Sequence, residues 1–349
     1  MASHSRHRGF DQDDGMTDTT LPALACAFPP SHDLPIYARR AEELGYERVW
    51  VFDSPALYGD IWIALARVAE TTERIGLGTG VAIPSLRHVM VTASAIASVE
   101  EIAPGRLAVA FGTGFTARNT MGKRGMRWAD LADYVRQLRG LLRGEVVVVE
   151  GEACQMLHSP GFAPPRPIDV PLLVAPMGPK GYGVARDVGD GVVVAMPPPD
   201  GDNWSTCAML LGGSVLDDGE DHTSARVRDA VGPLFVTGYH AMWEWGSDAV
   251  AGLPGGPAWQ ARIEASRPEG ERHLAVHEGH LVAVTDRDRP LLDAGGAAIL
   301  GAGLTGDRAS VRARLVALAA AGVTEIMYAP AGSDIARELE AFAAVATPD

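Results

Sequence analysis

Four apolar runs of this chain end in short segments whose residue types could take part in ligand binding or catalysis: 53–55, 80–84, 112–116 and 175–181. Three of the four contain glycine and carry almost no charge. Glycine at such a place supplies the positive φ that many turns need. It also leaves the backbone bare, so that a flat ring or a phosphate can approach it closely. Both explanations stay open for each segment taken singly.

The segment PMGPKG (176–181) has the features of a phosphate-binding site. It opens a predicted helix, where backbone N–H groups point outward and the helix dipole favours an anion. Lys180 adds a positive charge, and it is one of only two lysines in the chain. The segment is not a Walker motif, because the G-x-x-x-x-G-K spacing is missing. The candidate ligands are Met177, Gly178, Pro179, Lys180 and Gly181.

The other lysine, Lys123, lies in a basic segment with Arg118, Arg124 and Arg127. In a chain of formal net charge −14, this cluster could receive an anionic tail or an anionic substrate. A solvated surface loop is the simpler explanation, and both remain open.

The run HLAVHEGH (273–280) suggests two kinds of histidine chemistry. His273 and His277 have the spacing of H-E-x-x-H, but Glu278 follows the second histidine instead of lying between the two. Zinc proteases need that glutamate beside the metal-bound water, so the sequence predicts no metal site here. We expect His277 or His280 near the active site as a proton donor or substrate contact. A structural, hydrogen-bonded histidine is an equal alternative.

The elements that must position these residues alternate along the chain. Patterns typical of strands cover 21–28, 47–53, 74–81, 105–114, 170–176, 191–197, 232–239 and 323–330. Patterns typical of helices cover 32–46, 60–72, 89–102, 131–144, 178–190, 307–322 and 333–346, and we expect further helices on either side of 232–239. Helix spacing of apolar residues and the cap residue Asp307 support the assignments. Residues 145–157 interrupt the alternation with a predicted hairpin around Glu150-Gly151.

Eight strand-then-helix units with apolar strands predict an α/β fold, a (β/α)₈ TIM barrel with insertions. An open, doubly wound sheet is the alternative. We expect a disordered extension at 1–20 and one barrel domain over 21–349. That domain includes the hairpin near 145–157 and a lid or other insertion within 198–300. The tryptophans of the insertion fit either an apolar substrate pocket or a core: Trp204, Trp243, Trp245 and Trp259.

Composition limits the classes of function. Hydrophobic residues make up 47% of the chain and charged residues 21%, as in a soluble globular protein. The negative net charge argues against nucleic-acid binding, and no apolar run is long enough to span a membrane. The first twenty residues lack the apolar core of a secretion signal. The three cysteines show no metal or redox spacing. We therefore expect a cytoplasmic protein with a small-molecule ligand.

Three stretches together resemble the bacterial-luciferase-like superfamily of flavin- and deazaflavin-dependent oxidoreductases. They are RIGLGTGVAIPSLRHVMVTASAIASVEEIAPGRLAVAFGTG, MGKRGMRWADLADYVRQLRGLLRGE and GPKGYGVARDVGDGVVV. Within the superfamily, the chain is most similar to the branch that uses the deazaflavin coenzyme F420, as methylenetetrahydromethanopterin reductase does. The resemblance covers about residues 21–195 and returns at 303–346.

The resemblance implies a (β/α)₈ barrel with insertions that forms a homodimer. In that family a non-prolyl cis peptide in the third strand backs the central ring of the cofactor, and the matching bond is Gly80-Val81. By position, Asp53 would lie at the edge of the ring. Gly112, Thr113 and Gly114 would line the cofactor side, and Gly178 to Gly181 would bind its phosphate.

The implied function is hydride transfer between coenzyme F420 and an unidentified small organic substrate. Asp53, His277 and His280 are the candidates for the acid or base that completes the reaction. A reduced-FMN-dependent monooxygenase is the alternative within the same superfamily. A non-catalytic barrel that only binds a cofactor is a lesser alternative. The basic segment 118–127 is compatible with F420, whose tail carries carboxylates.

Overall fold

The strands form a closed barrel in a computed structural model that describes residues 21–199 and 201–346. The strands are β1 (Ala23–Phe28), β2 (Arg48–Val51), β3 (Gly76–Ala82), β4 (Leu107–Phe111), β5 (Val147–Val149), β6 (Glu152–Cys154), β7 (Leu172–Val174), β8 (Gly191–Val194), β9 (Cys207–Gly212) and β10 (Glu325–Ala329). Eight of these described strands close in the order β1-β10-β9-β8-β7-β4-β3-β2, each parallel to its neighbours. The predicted barrel is confirmed, and the doubly wound alternative is wrong because the sheet has no open edge. The extension predicted at 1–20 lies outside the described residues.

Helices cover the outside of the barrel and fill a long connection after β9. They are α1 (Leu34–Glu43), α2 (Ile61–Thr71), α3 (Val89–Ile102), α4 (Phe115–Asn119), α5 (Trp128–Arg143), α6 (Gly178–Val188), α7 (Ala225–Trp245), α8 (Ser247–Ala251), α9 (Gly256–Ser266), α10 (His273–Val276), α11 (Arg289–Gly295), α12 (Arg308–Ala320) and α13 (Ile335–Ala346). Short 3₁₀ turns lie at Pro84–Leu86, Glu269–Glu271 and Gly296–Gly301.

Side chains at the helix starts explain where several helices begin. The Asp60 carboxylate accepts hydrogen bonds from the backbone of Trp62 and Ile63 at the start of α2. His88 Nδ1 accepts from Met90 N at 3.2 Å and caps α3. The predicted cap Asp307 accepts from Ser310 N at 2.7 Å at the start of α12. Such caps satisfy backbone donors that have no partner inside the helix.

The alternating glycines of β3 make room for a large side chain inside the barrel. Trp50 of β2 is fully buried and donates from Nε1 to Glu325 Oε1 of β10 at 2.6 Å. A Cβ on Gly78 would overlap the Trp50 ring, and one on Gly80 would lie 3.2 Å from Trp50 Cβ and 2.9 Å from Met327 Cε. Part of the glycine pattern is therefore explained by core packing rather than by a ligand.

The structure corrects the seventh predicted strand. Residues 232–239 lie inside helix α7, and the seventh barrel strand is β9, which the sequence did not predict. The β-branched and aromatic residues of 232–239 favour a strand locally. However, Val236, Tyr239 and His240 are buried at i, i+3 and i+4, which is helical spacing. Tertiary packing of this helix outweighs its local propensity.

The connection between β9 and α12 has a hydrophobic core of its own. Its centre is Trp259, which is fully buried and packs against Tyr239 and Trp243. Trp245 is exposed, and Trp204 packs against the core around the barrel. The tryptophans that could have lined a substrate pocket thus serve mainly as core residues.

Candidate active site at the carboxyl ends of the barrel strands

A cavity of about 310 Å³ opens at the carboxyl ends of β2, β3, β4, β7, β8 and β9, and His280 and Leu281 of the long connection form part of its wall. This is the end of a (β/α)₈ barrel where ligands bind. Most of the lining is apolar or aromatic: Phe52, Tyr58, Val81, Ile83, Phe115, Met177, Val193, Leu210 and Leu281. The cavity is therefore suited to a flat, largely apolar ligand.

The residues singled out from the sequence divide into two groups. Those that line the cavity are Asp53, Gly80, Val81, Gly112, Thr113, Gly114, Met177 and His280. Those outside its lining are His277, Gly178, Pro179, Lys180 and Gly181. The strand-end glycines and one of the two histidines thus meet around one space, although they come from distant parts of the chain.

A bulge in β3 brings the backbone to the cavity. The Gly80-Val81 peptide bond is cis, as expected, and the register against β4 shifts between Thr79 and Ala82. The Thr79 hydroxyl accepts from Ala110 N and donates to Ala110 O, each at 2.8 Å, so the side chain replaces ladder hydrogen bonds at the bulge.

Gly112 is the glycine that this bulge requires. A Cβ at position 112 would lie 2.7 Å from Val81 Cγ2, well inside van der Waals contact. Because Gly112 has no side chain, Val81 can lie beside β4 as part of the cavity wall. The missing side chain at position 112 therefore determines the shape of the cavity wall.

Asp53 is the buried carboxylate of the cavity. Its Oδ2 accepts from Ile83 N at 3.1 Å and from Arg87 Nη1 at 2.7 Å. Its Oδ1 is buried and has no hydrogen-bond partner. Burial raises the pKa of Asp53, and the hydrogen bond from Arg87 opposes this shift without cancelling it. Oδ1 is thus an acceptor that a ligand in the cavity could satisfy.

Arg87 is a site residue that was not predicted from the sequence. It lies between Asp53 and Asp60, with Nη2 2.8 Å from Asp60 Oδ2, and so ties β2, β3 and the start of α2 together. The basic pair Arg87-His88 after the bulge was visible in the sequence. Nothing in the sequence showed that its partners would be carboxylates more than 25 residues away.

The start of α6 lies next to the cavity through Pro176 and Met177. Gly178 has φ +65, and an added Cβ there would meet nothing within 4 Å. Gly181 has a packing role, because its Cβ would lie 2.8 Å from the ring of Trp128. Lys180 is exposed on the first turn of α6.

In the basic segment 118–127, some of the arginines already form contacts within the protein. Arg118 Nη1 donates to Ser85 Oγ at 2.6 Å, and Arg127 pairs with Asp130 at 2.6 Å. Lys123 and Arg124 are exposed.

His277 and His280 belong to a cluster that includes a third histidine, His240 of α7. His280 Nδ1 lies 3.0 Å from His240 Nδ1, and His277 Nε2 lies 3.0 Å from Glu244 Oε1. Burial lowers the pKa of both His240 and His280. His240 was not singled out from the sequence, and it follows directly on 232–239, which was predicted as a strand.

Fold and cavity together define a (β/α)₈ barrel protein with a ligand pocket at the carboxyl ends of its strands. The chain belongs to the luciferase-like monooxygenase family, whose model matches residues 10–205.

Two curated relatives show similar levels of identity. The chain is 33% identical to 5,10-methylenetetrahydromethanopterin reductase of Methanolobus tindarius, over 47% of this chain and 50% of the relative. It is 32% identical to F420-dependent glucose-6-phosphate dehydrogenase of Beutenbergia cavernae, over 49% of this chain and 54% of the relative. The chain therefore spans about half the length of the curated relatives it matches.

Solved structures share the fold at low sequence identity. An F420-dependent secondary alcohol dehydrogenase in complex with an F420-acetone adduct superposes with a TM-score of 0.63 at 18% identity, over 95% of this chain and 100% of that one. An FMN-bound Baeyer–Villiger monooxygenase of Pseudomonas putida gives 0.58 at 13% identity, over 95% and 99%. Within the part of the chain that the structure describes, no helix has the length and apolar character of a membrane span.

Proposed function

We propose that this protein is an oxidoreductase that transfers a hydride between coenzyme F420 and a small, uncharged organic molecule. The observation that carries the proposal is the cavity wall built by the Gly80-Val81 bulge, with Gly112 leaving the space that Val81 needs. The curated relatives named as F420-dependent enzymes support the choice of cofactor.

The residues present fit a flat ring with polar edges. The wall beside Val81 is apolar, and the unpaired Oδ1 of Asp53 offers one acceptor at the margin of the cavity. When bound, a deazaflavin supplies the hydride-accepting carbon, and the protein supplies orientation and a dry pocket. We place the ring against Gly80, Val81 and Gly112.

The start of α6 is our candidate for the cofactor phosphate. Its first N–H groups lie next to Met177 at the cavity wall, and Lys180 lies on the same turn. The exposed side chains of Lys123 and Arg124 are candidates for contacts with the carboxylates of the cofactor tail.

The cavity lining favours an uncharged substrate. No lysine or arginine is among the described residues that line it. Its carboxylate, Asp53, already pairs with Arg87. Burying a phosphate there without a cation would cost several kcal/mol, roughly the penalty for an unpaired buried charge. We therefore favour an alcohol or ketone over a sugar phosphate.

His280 is our candidate for the proton-handling residue. It lines the cavity, and burial keeps the pKa of its imidazole well below the usual range, so that the neutral form prevails at pH 7. The N–H of a neutral imidazole can hydrogen-bond the oxygen of a ketone and supply the proton as the hydride reaches its carbon, and the reverse steps oxidise an alcohol. Asp53 would orient the ligand, and His277, which lies outside the lining, would act only through its neighbours.

The experiment compares F420 and FMN in the same purified protein. Tryptophan quenching measures both dissociation constants, and turnover of F420 is followed with secondary alcohols and with sugar phosphates. The proposal expects tighter binding of F420 and turnover with an alcohol. Tighter binding of FMN, with oxygen-dependent turnover, would show that the alternative is right.

A reduced-FMN monooxygenase is the second candidate, favoured by the description of the family and by the FMN-bound structure of similar fold. A non-catalytic binding barrel is the third, and tight cofactor binding without any turnover would support it.

Assembly and location remain proposals. Helices α1, α2 and α3 expose Ile36, Ile63 and Val91, and such apolar surface suits a homodimer interface. Light scattering coupled to size-exclusion chromatography tests the mass. We propose a cytoplasmic location, which fractionation of the source cells would test.

A further inference from the structure

Three histidine side chains converge beside the cavity although two different elements supply them. His240 comes from α7, while His277 and His280 follow α10. The ring centroids are 5.3–5.5 Å apart. One nitrogen from each residue lies within 4.8 Å of the others. Three imidazoles this close, in a largely buried position, need a physical explanation.

Hydrogen bonds within the protein leave part of the cluster unsatisfied. His277 Nδ1 is buried and has no hydrogen-bond partner, while its Nε2 faces Glu244. His240 Nδ1 and His280 Nδ1 face each other at 3.0 Å, and only one of them can carry the shared proton. A buried nitrogen without a partner costs about 1–3 kcal/mol. A cation between the rings would use all three nitrogens.

We propose that His240, His277 and His280 bind a divalent transition-metal ion of the zinc class, each through one ring nitrogen. Imidazole nitrogen suits Zn²⁺, Cu²⁺ and Ni²⁺, whereas Mg²⁺ and Ca²⁺ prefer oxygen. Tetrahedral ligands at 2.0–2.1 Å from zinc lie about 3.4 Å apart. The observed nitrogen separations, from 3.0 Å to at most 4.8 Å, bracket that value.

The carboxylate behind one ring resembles an outer ligand of a metal site. Glu244 Oε1 lies 3.0 Å from His277 Nε2. Asp288 Oδ1 is 3.9 Å from His240 Nε2, beyond hydrogen-bond distance, so that buried nitrogen has no partner. A carboxylate on the far nitrogen fixes the ring and its tautomer, and leaves the near nitrogen free for the metal.

The ion would cross-link two parts of the long connection between β9 and α12. It would join α7 to the segment 277–281, which forms one wall of the cavity. Tyr58, after β2, donates its hydroxyl proton to the carbonyl of His280 and already attaches that segment to the barrel. His273 is not part of this site. Its spacing from His277 suggested a zinc motif, and the position of Glu278 argued against that motif.

The test is a zinc titration of chelator-stripped protein against a chromophoric competitor. All variants carry His4→Ser and His7→Ser, because these N-terminal histidines could bind zinc themselves. We expect one equivalent of tightly bound Zn²⁺, at least 100-fold weaker binding in His277→Ala, and roughly 10-fold weaker binding in Glu244→Gln. His273→Ala is the matched control and should bind as the parent does.

The zinc affinities of the variants decide whether the site exists. Zinc binding that is equal in the parent and in His277→Ala, or absent from the parent at micromolar concentration, overturns the site. If His277→Ala fails to fold, His280→Ala and Glu244→Gln give the same comparison, and unchanged affinity in both overturns it. Addition of Zn²⁺ should also raise the midpoint of thermal unfolding in the parent but not in the variants. No turnover is measured, so the result is independent of the proposed function.

Discussion

Replacing Gly112 by alanine tests whether the Val81 wall forms the binding surface for the cofactor. The new Cβ would lie 2.7 Å from Val81 Cγ2, about 1 Å closer than an ordinary carbon–carbon contact. Overpacking of this kind costs roughly 1–3 kcal/mol. In the free protein, Val81 can relieve the overlap by moving into the cavity.

A bound ring would have to return Val81 to its original position and so restore the overlap. The overpacking energy would therefore reduce the affinity for F420. Because each 1.4 kcal/mol is a factor of ten, we expect F420 to bind about 5- to 150-fold more weakly. Fluorescence quenching measures the dissociation constant. Circular dichroism verifies that the barrel is intact.

Two further variants make this prediction decisive. Gly238→Ala is the matched control, since a Cβ there meets nothing within 4 Å, and its affinity should not change. The double variant Gly112→Ala/Val81→Ala removes the overlap and should recover part of the affinity, as a double-mutant cycle requires of residues in contact. An affinity within twofold of the parent in Gly112→Ala would refute the placement of the ring on this wall.

Three other perturbations follow from the same structure. Arg87→Met leaves Asp53 buried without its cation, and we expect a loss of roughly 3–5 kcal/mol in the free energy of unfolding. Burial already raises the pKa of Asp53. A carboxyl whose pKa is higher in the folded than in the unfolded state makes the folded protein less stable as pH rises, because its charged form is disfavoured there. The loss in urea unfolding should therefore be larger at pH 7 than at pH 5. Lys180→Ala should weaken cofactor binding more than Lys123→Ala. Trp50→Phe removes a 2.6 Å hydrogen bond to a buried carboxylate and should cost about 1–3 kcal/mol of stability in urea unfolding.

Each of these predictions has an outcome that contradicts it. Equal losses at the two pH values in Arg87→Met would mean that the Asp53 charge is not the cause. An equal or reversed effect of the two lysine variants would mean that the phosphate site is misplaced. A Trp50→Phe protein as stable as the parent would show that the buried Trp50–Glu325 hydrogen bond contributes nothing.

The elements that could be predicted from the sequence are those in which local pattern and tertiary environment agree. Strands such as β4 and β10 are short apolar runs buried on both faces, and the helices between them have apolar faces at helical spacing. Region 232–239 shows the limit. Its composition favours a strand, but the face that it buries has helical spacing, and only packing against the core around Trp259 reveals this.

The candidate site shows the same division. Asp53, Gly80 and Gly112 could be singled out because they end strands, and all parallel strands of a barrel end on one side. The bulge at Gly80-Val81 was expected from the resemblance alone. Arg87 could not be singled out, since its role depends on carboxylates brought to it by β2 and α2.

Seven of the eight barrel strands follow from local patterns in the sequence, whereas the eighth pattern, at 232–239, belongs to a helix. The glycines at the strand ends are also visible in the sequence. The fold determines which glycines face Trp50 and which face the cavity, since both kinds look alike along the chain. It also brought His240 to His277 and His280, because contacts between residues far apart in sequence depend on how the helices pack and not on any local pattern.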